Sequence, residues 1–124
     1  MINNKIFQAV FDEVSVFLPT NWEKTVIQLE YGEASYTFSF YVRMNGKYTK
    51  CFDLPLVDED ALMRAFRRID CQVSRERKQE NGDLWTVMTM IVENSGKMHT
   101  DFDYEDHSEN AYQYSKDWKK KYLV

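Results

Sequence analysis

The sequence has few glycines and no long apolar segment. Its 124 residues include four glycines and two prolines, and every glycine falls in a predicted turn or at a predicted helix end. No glycine is left for a phosphate-cradling loop, and the dinucleotide-binding and Walker patterns are absent. No apolar run approaches the roughly 20 residues of a membrane-spanning helix. These absences exclude the common nucleotide-binding motifs and argue against a membrane protein.

Cysteines are also few, and the net charge is negative. The two cysteines, Cys51 and Cys71, are typical of unpaired thiols in a reducing compartment, and a disulfide between them is the less favoured alternative. The first residues lack the basic leader and apolar run of a secretory signal. We therefore expect a cytoplasmic protein. Its formal net charge of −4 argues against direct nucleic-acid binding, which requires a basic face.

The chain does contain a large apolar fraction, 44%, with 15% aromatic residues, enough for the core of one domain over residues 1–124. Apolar residues at three- and four-residue spacing predict an amphipathic helix from Asn4 to Leu18, which Pro19 stops. Asp58 opens a second, longer helix, and Asn81-Gly82 ends it.

Alternating polar and apolar residues predict strands, and Asn45-Gly46 predicts a two-residue hairpin turn. The fold class is α+β: an N-terminal helix, an antiparallel sheet of about five strands with the long helix inserted between strands three and four, and helices packed on one sheet face. A short C-terminal helix or tail follows from about Glu109. The predicted strands span residues 25–31, 35–42, 48–52, 85–92 and 97–104.

Negative charge is concentrated near the end of the last predicted strand. Five acids fall within the nine residues 101–109, and no Lys or Arg lies among them. Such a concentration favours association with a basic partner, and interleaved tyrosines are typical interface anchors. A solvated acidic loop is the simpler interpretation of the same pattern. The predicted partner-binding residues are Asp101, Asp103, Tyr104, Glu105, Asp106, Glu109 and Tyr112.

A metal-dependent hydrolase is the alternative interpretation of this strand. His99, Asp101 and Asp103 alternate and so share one face, and carboxylates and imidazoles bind divalent ions. The chain has only two histidines, however, and alternating polar residues also describe an ordinary solvent-facing strand. We therefore predict no metal site, no cofactor and no catalytic residue.

A base-stacking sheet is a further alternative. Tyr36, Phe38, Phe40 and Tyr48 lie on predicted strands, as aromatic residues do in small RNA-binding sheets. Two amphipathic helices need an apolar sheet face, and these residues provide it. Without a basic rim, we expect them to form core.

Several short motifs, each unspecific alone, occur in an order that resembles the YezG-like immunity proteins over nearly the whole chain. They are Leu18-Pro19, Asn21-Trp22-Glu23-Lys24, Glu80-Asn81-Gly82, Trp85-Thr86, Gly96-Lys97, the acidic run from Asp101 to Asp106, and Trp118 to Leu123.

The resemblance implies a non-enzymatic bacterial antitoxin. It would bind the C-terminal toxin domain, typically a nuclease, of a secreted effector or a contact-dependent growth inhibition effector. Binding would protect the producing cell and its siblings. The acidic segment would dock in a basic groove of the toxin, with Tyr104 and Tyr112 at the centre. The resemblance supplies no binding residues of its own, because immunity surfaces diverge with their partners.

Overall fold

The computed structural model describes residues 4–55, 57–78 and 84–124. Its elements follow one another in the predicted order, and the α+β class is confirmed. No helix within the described ranges is long and apolar enough to cross a membrane. The helices are α1 (Asn4–Ser15), α2 (Glu59–Lys78) and α3 (Ala111–Tyr122), and the strands are β1 (Lys24–Tyr31), β2 (Tyr36–Met44), β3 (Lys47–Lys50), β4 (Val87–Glu93) and β5 (Met98–Asp103).

The five strands form one antiparallel sheet in the order β3-β2-β1-β4-β5. The central strand β1 pairs with β2 on one side and with β4 on the other. Sequence pattern left this order open, because α2 separates the first three strands from the last two. The pairing of β4 with β1 makes β5 an edge strand, and the acidic segment therefore begins at the margin of the sheet.

Helices α1 and α2 cover one face of the sheet, as predicted. Phe40 of β2, Leu29 of β1 and Met90 of β4 are fully buried beneath them, together with Leu62 and Ile69 of α2. Burying each such side chain stabilises the fold by roughly 1.5–3 kcal/mol. The aromatic residues of β2 on this face therefore belong to the core and are not available to stack on bases.

Helix α3 covers the opposite face. Trp118 is buried there with Val26 and Tyr41, and its indole N–H donates a hydrogen bond to the hydroxyl of Thr89 at 2.9 Å. The hydroxyl of Tyr48 donates to the backbone carbonyl of Val124 at 3.0 Å. The C-terminal segment, which the sequence left as a short helix or tail, is thus a helix that closes the second face.

Local conformations agree with the turn prediction and correct several element ends. The first helix ends at Ser15, three residues before the predicted end at Leu18, and the last strand spans Met98–Asp103 where residues 97–104 were predicted. Asn45 and Gly46 both have positive φ angles, 52° and 76°, as a two-residue hairpin loop requires. The third strand ends at Lys50, two residues earlier than predicted, because a 3-10 turn from Cys51 to Asp53 buries Cys51 in the core. The predicted helix end at Asn81-Gly82 lies outside the described residues.

Candidate partner-binding surface

The acidic segment starts on β5 and continues through the loop that precedes α3. Asp101 and Asp103 lie opposite Thr89 and Val87 of β4, on the face that α3 covers. Phe102 lies between them and packs against the core on the other face. The two aspartates are therefore turned toward α3 and are only partly exposed.

Asp101 joins the edge strand to the end of α3. Its carboxylate accepts a hydrogen bond from the hydroxyl of Tyr122 at 2.9 Å and contacts the ring nitrogen Nε2 of His99 at 2.7 Å. Partial burial would raise the pKa of Asp101, but these hydrogen bonds and the charge of Lys121 outweigh it and hold the pKa below its ordinary value. Burial and the bond to Asp101 raise the pKa of Tyr122 to about 12.

Asp103 fixes the loop that follows β5. One carboxylate oxygen accepts the backbone N–H of Glu105 at 2.9 Å, and the other lies 2.9 Å from His107 Nε2. The His107 ring stacks on Tyr114 of α3, with centroids 3.6 Å apart. Partial burial opposes ionisation of Asp103, but the hydrogen bonds and His107 lower its pKa. Asp103 is thus an ionised anchor for the loop.

The remaining predicted residues are exposed on this loop and on the first turn of α3. Tyr104 exposes 57% and Tyr112 74% of its surface, and the carboxylates of Glu105, Asp106 and Glu109 also reach solvent. We call these five residues the acidic–tyrosine patch. The structure therefore divides the seven predicted residues into two groups: Asp101 and Asp103 organise the site, and the patch is accessible to a partner.

A cleft of about 570 Å³ lies between β5 and α3, beside the patch. Asp101 and Asp103 line it from the sheet, and Trp118 and Tyr122 line it from the helix. The cleft combines ring surfaces with carboxylates and opens next to the exposed loop.

Asp117 also lines this cleft and was missed by sequence reasoning. Its carboxylate accepts a hydrogen bond from the Gln113 side-chain amide at 2.9 Å. Once α3 is known to be a helix, Asp117 falls one turn after Tyr114 and one turn before Lys121, so the three share a face. The spacing of these three residues is visible in the sequence, but it places them on one face only if the segment is a helix.

The side chains that could bind a metal ion are grouped differently from the trio of the metal-dependent alternative. Within the described part of the chain, one set of three acidic or histidine side chains brings ligand atoms within 4.8 Å of one another, namely Asp103, Glu105 and His107. His99 and Asp101 lie outside this set and pair with each other. The trio of the alternative interpretation is therefore divided between two hydrogen-bonded pairs, His99 with Asp101 and His107 with Asp103.

Comparison with known proteins defines the class. Residues 3–123 match the model of a family described as Immunity protein YezG-like, so the chain belongs to the YezG-like immunity protein family. It is 26% identical over 109 residues to Immunity protein YezG of Bacillus subtilis strain 168, covering 82% of this chain and 72% of that protein. It is 23% identical over 109 residues to Immunity protein YezG of Bacillus spizizenii, covering 82% of this chain and 68% of that protein.

Family membership confirms the resemblance seen in the motifs. It assigns the protein an immunity role, implies a cognate toxin as its partner, and places it in a group of proteins that generally act without catalysis. An immunity protein acts by binding a toxin, so the exposed surfaces of this chain are the places to look for its function.

Proposed function

We propose that this protein neutralises a nuclease toxin in the cytoplasm of the cell that makes it. The toxin would be the C-terminal domain of a secreted effector or of a contact-dependent growth inhibition effector. Neutralisation occurs by occlusion: the acidic–tyrosine patch covers the basic groove in which the toxin binds nucleic acid.

One observation carries this proposal. Tyr104 lies on the loop that Asp103 holds, and Tyr112 lies on the first turn of α3. Both are exposed, as are the side chains of Glu105, Asp106 and Glu109. A nuclease groove is lined with cations that bind phosphates, and carboxylates placed there occupy the same positions. Exposed tyrosines bring large, rigid contact area at little entropic cost, which is why they are frequent interface anchors.

Asp101 and Asp103 act in this proposal mainly through their charge. Both have lowered pKa values and stay ionised at neutral pH, so they add to the negative potential of the patch. Their oxygens are already hydrogen-bonded within the chain. Direct contacts with the toxin therefore fall chiefly to the exposed members of the patch.

The proposal is tested with the double variant Glu105→Lys/Glu109→Lys and the cognate toxin domain, sought first in the genes that neighbour this one. Both side chains are exposed, so reversal should leave the fold intact. We expect roughly 100-fold weaker toxin affinity, mainly through slower association, and loss of protection when toxin and variant are produced together.

The matched control is Asp12→Lys/Glu93→Lys, which changes net charge equally at exposed positions remote from the patch. It should bind the toxin like the unaltered protein. Equal affinity of the two double variants would remove the patch from the mechanism. A cognate toxin without nuclease activity would refute the nuclease assignment but not the patch.

A further inference from the structure

The cleft between β5 and α3 is not needed for occlusion by the acidic–tyrosine patch, and its size and lining suit a ligand. Its volume of about 570 Å³ falls within the roughly 300–1,000 Å³ typical of ligand-binding pockets. Tyr114 and Tyr122, both partly exposed, line it from α3, and the buried side chains of Trp118 and Val87 lie beneath them. The cleft therefore has room for a short loop of a partner and offers it the accessible parts of two tyrosine rings.

Carboxylates give the cleft a strong preference for cations. Asp101, Asp103, Glu105 and Asp117 line it, against the single ammonium group of Lys121. Asp101 and Asp103 are occupied by donors from the chain itself. Asp117 accepts one hydrogen bond from Gln113, which leaves its second oxygen free of described bonds, and Glu105 has no described side-chain bond. Glu105 and Asp117 are thus the acceptors available to an incoming cation.

The ring walls favour arginine among the possible cations. The Nζ atom of Lys121 lies 5.2 Å from the centre of the Tyr122 ring. A cation–π contact of this kind is therefore already made within the chain at one side of the cleft. A guanidinium group stacks flat on aromatic rings, pairs bidentately with carboxylates and is less strongly hydrated than an ammonium group. Its methylene stem suits the apolar surface beneath.

We propose that this cleft receives an arginine-bearing loop of the partner, whose guanidinium group pairs with Glu105 and Asp117 and stacks against the rings of α3. The inference rests on the proposed function in one respect only, since it assigns the loop to the toxin. The cleft adjoins the acidic–tyrosine patch and shares Tyr104 and Glu105 with it. It would make binding specific for toxins that carry an arginine at the position facing the cleft.

The first test uses a blocked tripeptide, acetyl-Gly-Arg-Gly-amide, and its citrulline counterpart, which has nearly the same shape but no charge. The probe is the indole N–H resonance of Trp118 in a nitrogen-15 spectrum. Trp22 and Trp85 pack in the core on the opposite face and serve as internal references. The arginine peptide should shift the Trp118 resonance alone, and the citrulline peptide should leave it in place. Equal shifts with both peptides, or none at millimolar concentrations, would overturn the proposal.

The second test uses a matched pair of variants. Asp117 and Asp12 are both exposed helical aspartates that accept a hydrogen bond from a glutamine four residues earlier, at 2.9 and 2.7 Å. Asp117→Lys should abolish the peptide-induced shift and weaken toxin binding at least tenfold, and Asp12→Lys should change neither. Asp117→Asn, which keeps an acceptor for Gln113, should give an intermediate loss, and the Trp118 resonance reports whether each variant is folded.

The two proposals fail differently. Toxin affinity that is unchanged by Asp117→Lys would overturn the cleft inference and leave the immunity mechanism standing. A protein that binds the arginine peptide at Trp118 but does not bind the toxin would refute the proposed function and leave the cationic cleft intact.

Discussion

The two faces of the sheet are built from different chemistry. Beneath α1 and α2 the face is a continuous apolar core that includes Phe40, Leu29 and Met90. Beneath α3 the buried cluster is small, with Trp118 and Tyr41 as its large members, and the side chains around it are mostly partly buried tyrosines. Hydrogen bonds of Trp118, Tyr48 and Tyr122 join this face to α3 and to the C-terminal residues. We therefore expect the first face to supply most of the stability, and under the proposed function the second face presents charged groups to the toxin.

Typical energies support this comparison. Burying a large apolar side chain contributes roughly 1.5–3 kcal/mol, whereas an intramolecular hydrogen bond contributes about 0.5–1.5 kcal/mol net. The α1–α2 face is rich in the first kind of interaction, and the α3 face depends more on the second. Changes to the first face should therefore alter stability more than changes to the second, and changes to the second should alter binding more.

Phe40→Ala should have the largest effect. Phe40 is fully buried between the sheet and α2, with its ring 6.4 Å from that of Phe66, and its removal leaves a cavity. We expect the free energy of unfolding to fall by about 4 kcal/mol, measured by urea denaturation. Toxin affinity of the folded fraction should stay the same. A loss below about 1 kcal/mol would show that this face is not the main source of stability.

Trp118→Phe should have a smaller effect on stability. It keeps a buried ring but removes the indole N–H, so the buried hydroxyl of Thr89 loses its donor. We expect a loss of about 1–2 kcal/mol in the free energy of unfolding. The matched Thr89→Val variant completes a double-mutant cycle with it. A coupling energy near zero would mean that this hydrogen bond does not hold α3 to the sheet.

Asp101→Asn should reduce the loss of stability in acid. The folded-state pKa of Asp101 lies below its ordinary value of 3.8, so the folded protein binds fewer protons there than the unfolded chain does. Its contribution is complete above that value and is lost as the pH falls through the lower, folded-state pKa. Urea denaturation at pH 6 and pH 3 should show a smaller difference for the variant. An identical difference would mean that the contacts of Asp101 with Tyr122 and His99 do not affect folding.

Arg68→Ala should have the smallest effect, although it removes an ion pair from the stable face. The guanidinium Nε of Arg68 lies 2.9 Å from a carboxylate oxygen of Glu13, but the arginine side chain is 54% exposed. An exposed pair of this kind contributes about 0.5 kcal/mol, and the loss should shrink further at high salt. A loss above about 2 kcal/mol, measured by the same denaturation, would contradict this ranking.

The sequence predicted the local elements well because their signals are local. The apolar spacing in α1, the alternation in β2 and the Asn45-Gly46 turn each depend on residues close together in the chain. Sheet order was not predictable, because the pairing of β1 with β4 joins segments about 60 residues apart along the chain. Periodicity gives no information about which strands become neighbours across such a distance.

The candidate site was predicted in location but not in organisation. The acidic run is visible in the sequence, whereas the inward turn of Asp101 depends on Tyr122, which lies 21 residues later. The role of Asp117 required knowing that the tail forms a helix. Whether the exposed members bind the toxin stays a prediction.

The anchoring of the loop after β5 bears on how such a protein changes over generations. Asp103 holds its first residues, the Thr86 hydroxyl donates to the Glu105 carbonyl at 2.6 Å, and His107 is fixed against Tyr114. A backbone restrained in this way loses little conformational entropy when a partner binds. Outward side chains that make no described bond within the loop, such as those of Tyr104 and Glu105, can therefore change without rebuilding the scaffold, whereas Asp106 also accepts the backbone N–H of Ser108 at 2.9 Å. Under the proposed function, successive descendants of one fold would in this way keep pace with a toxin whose own surface is changing.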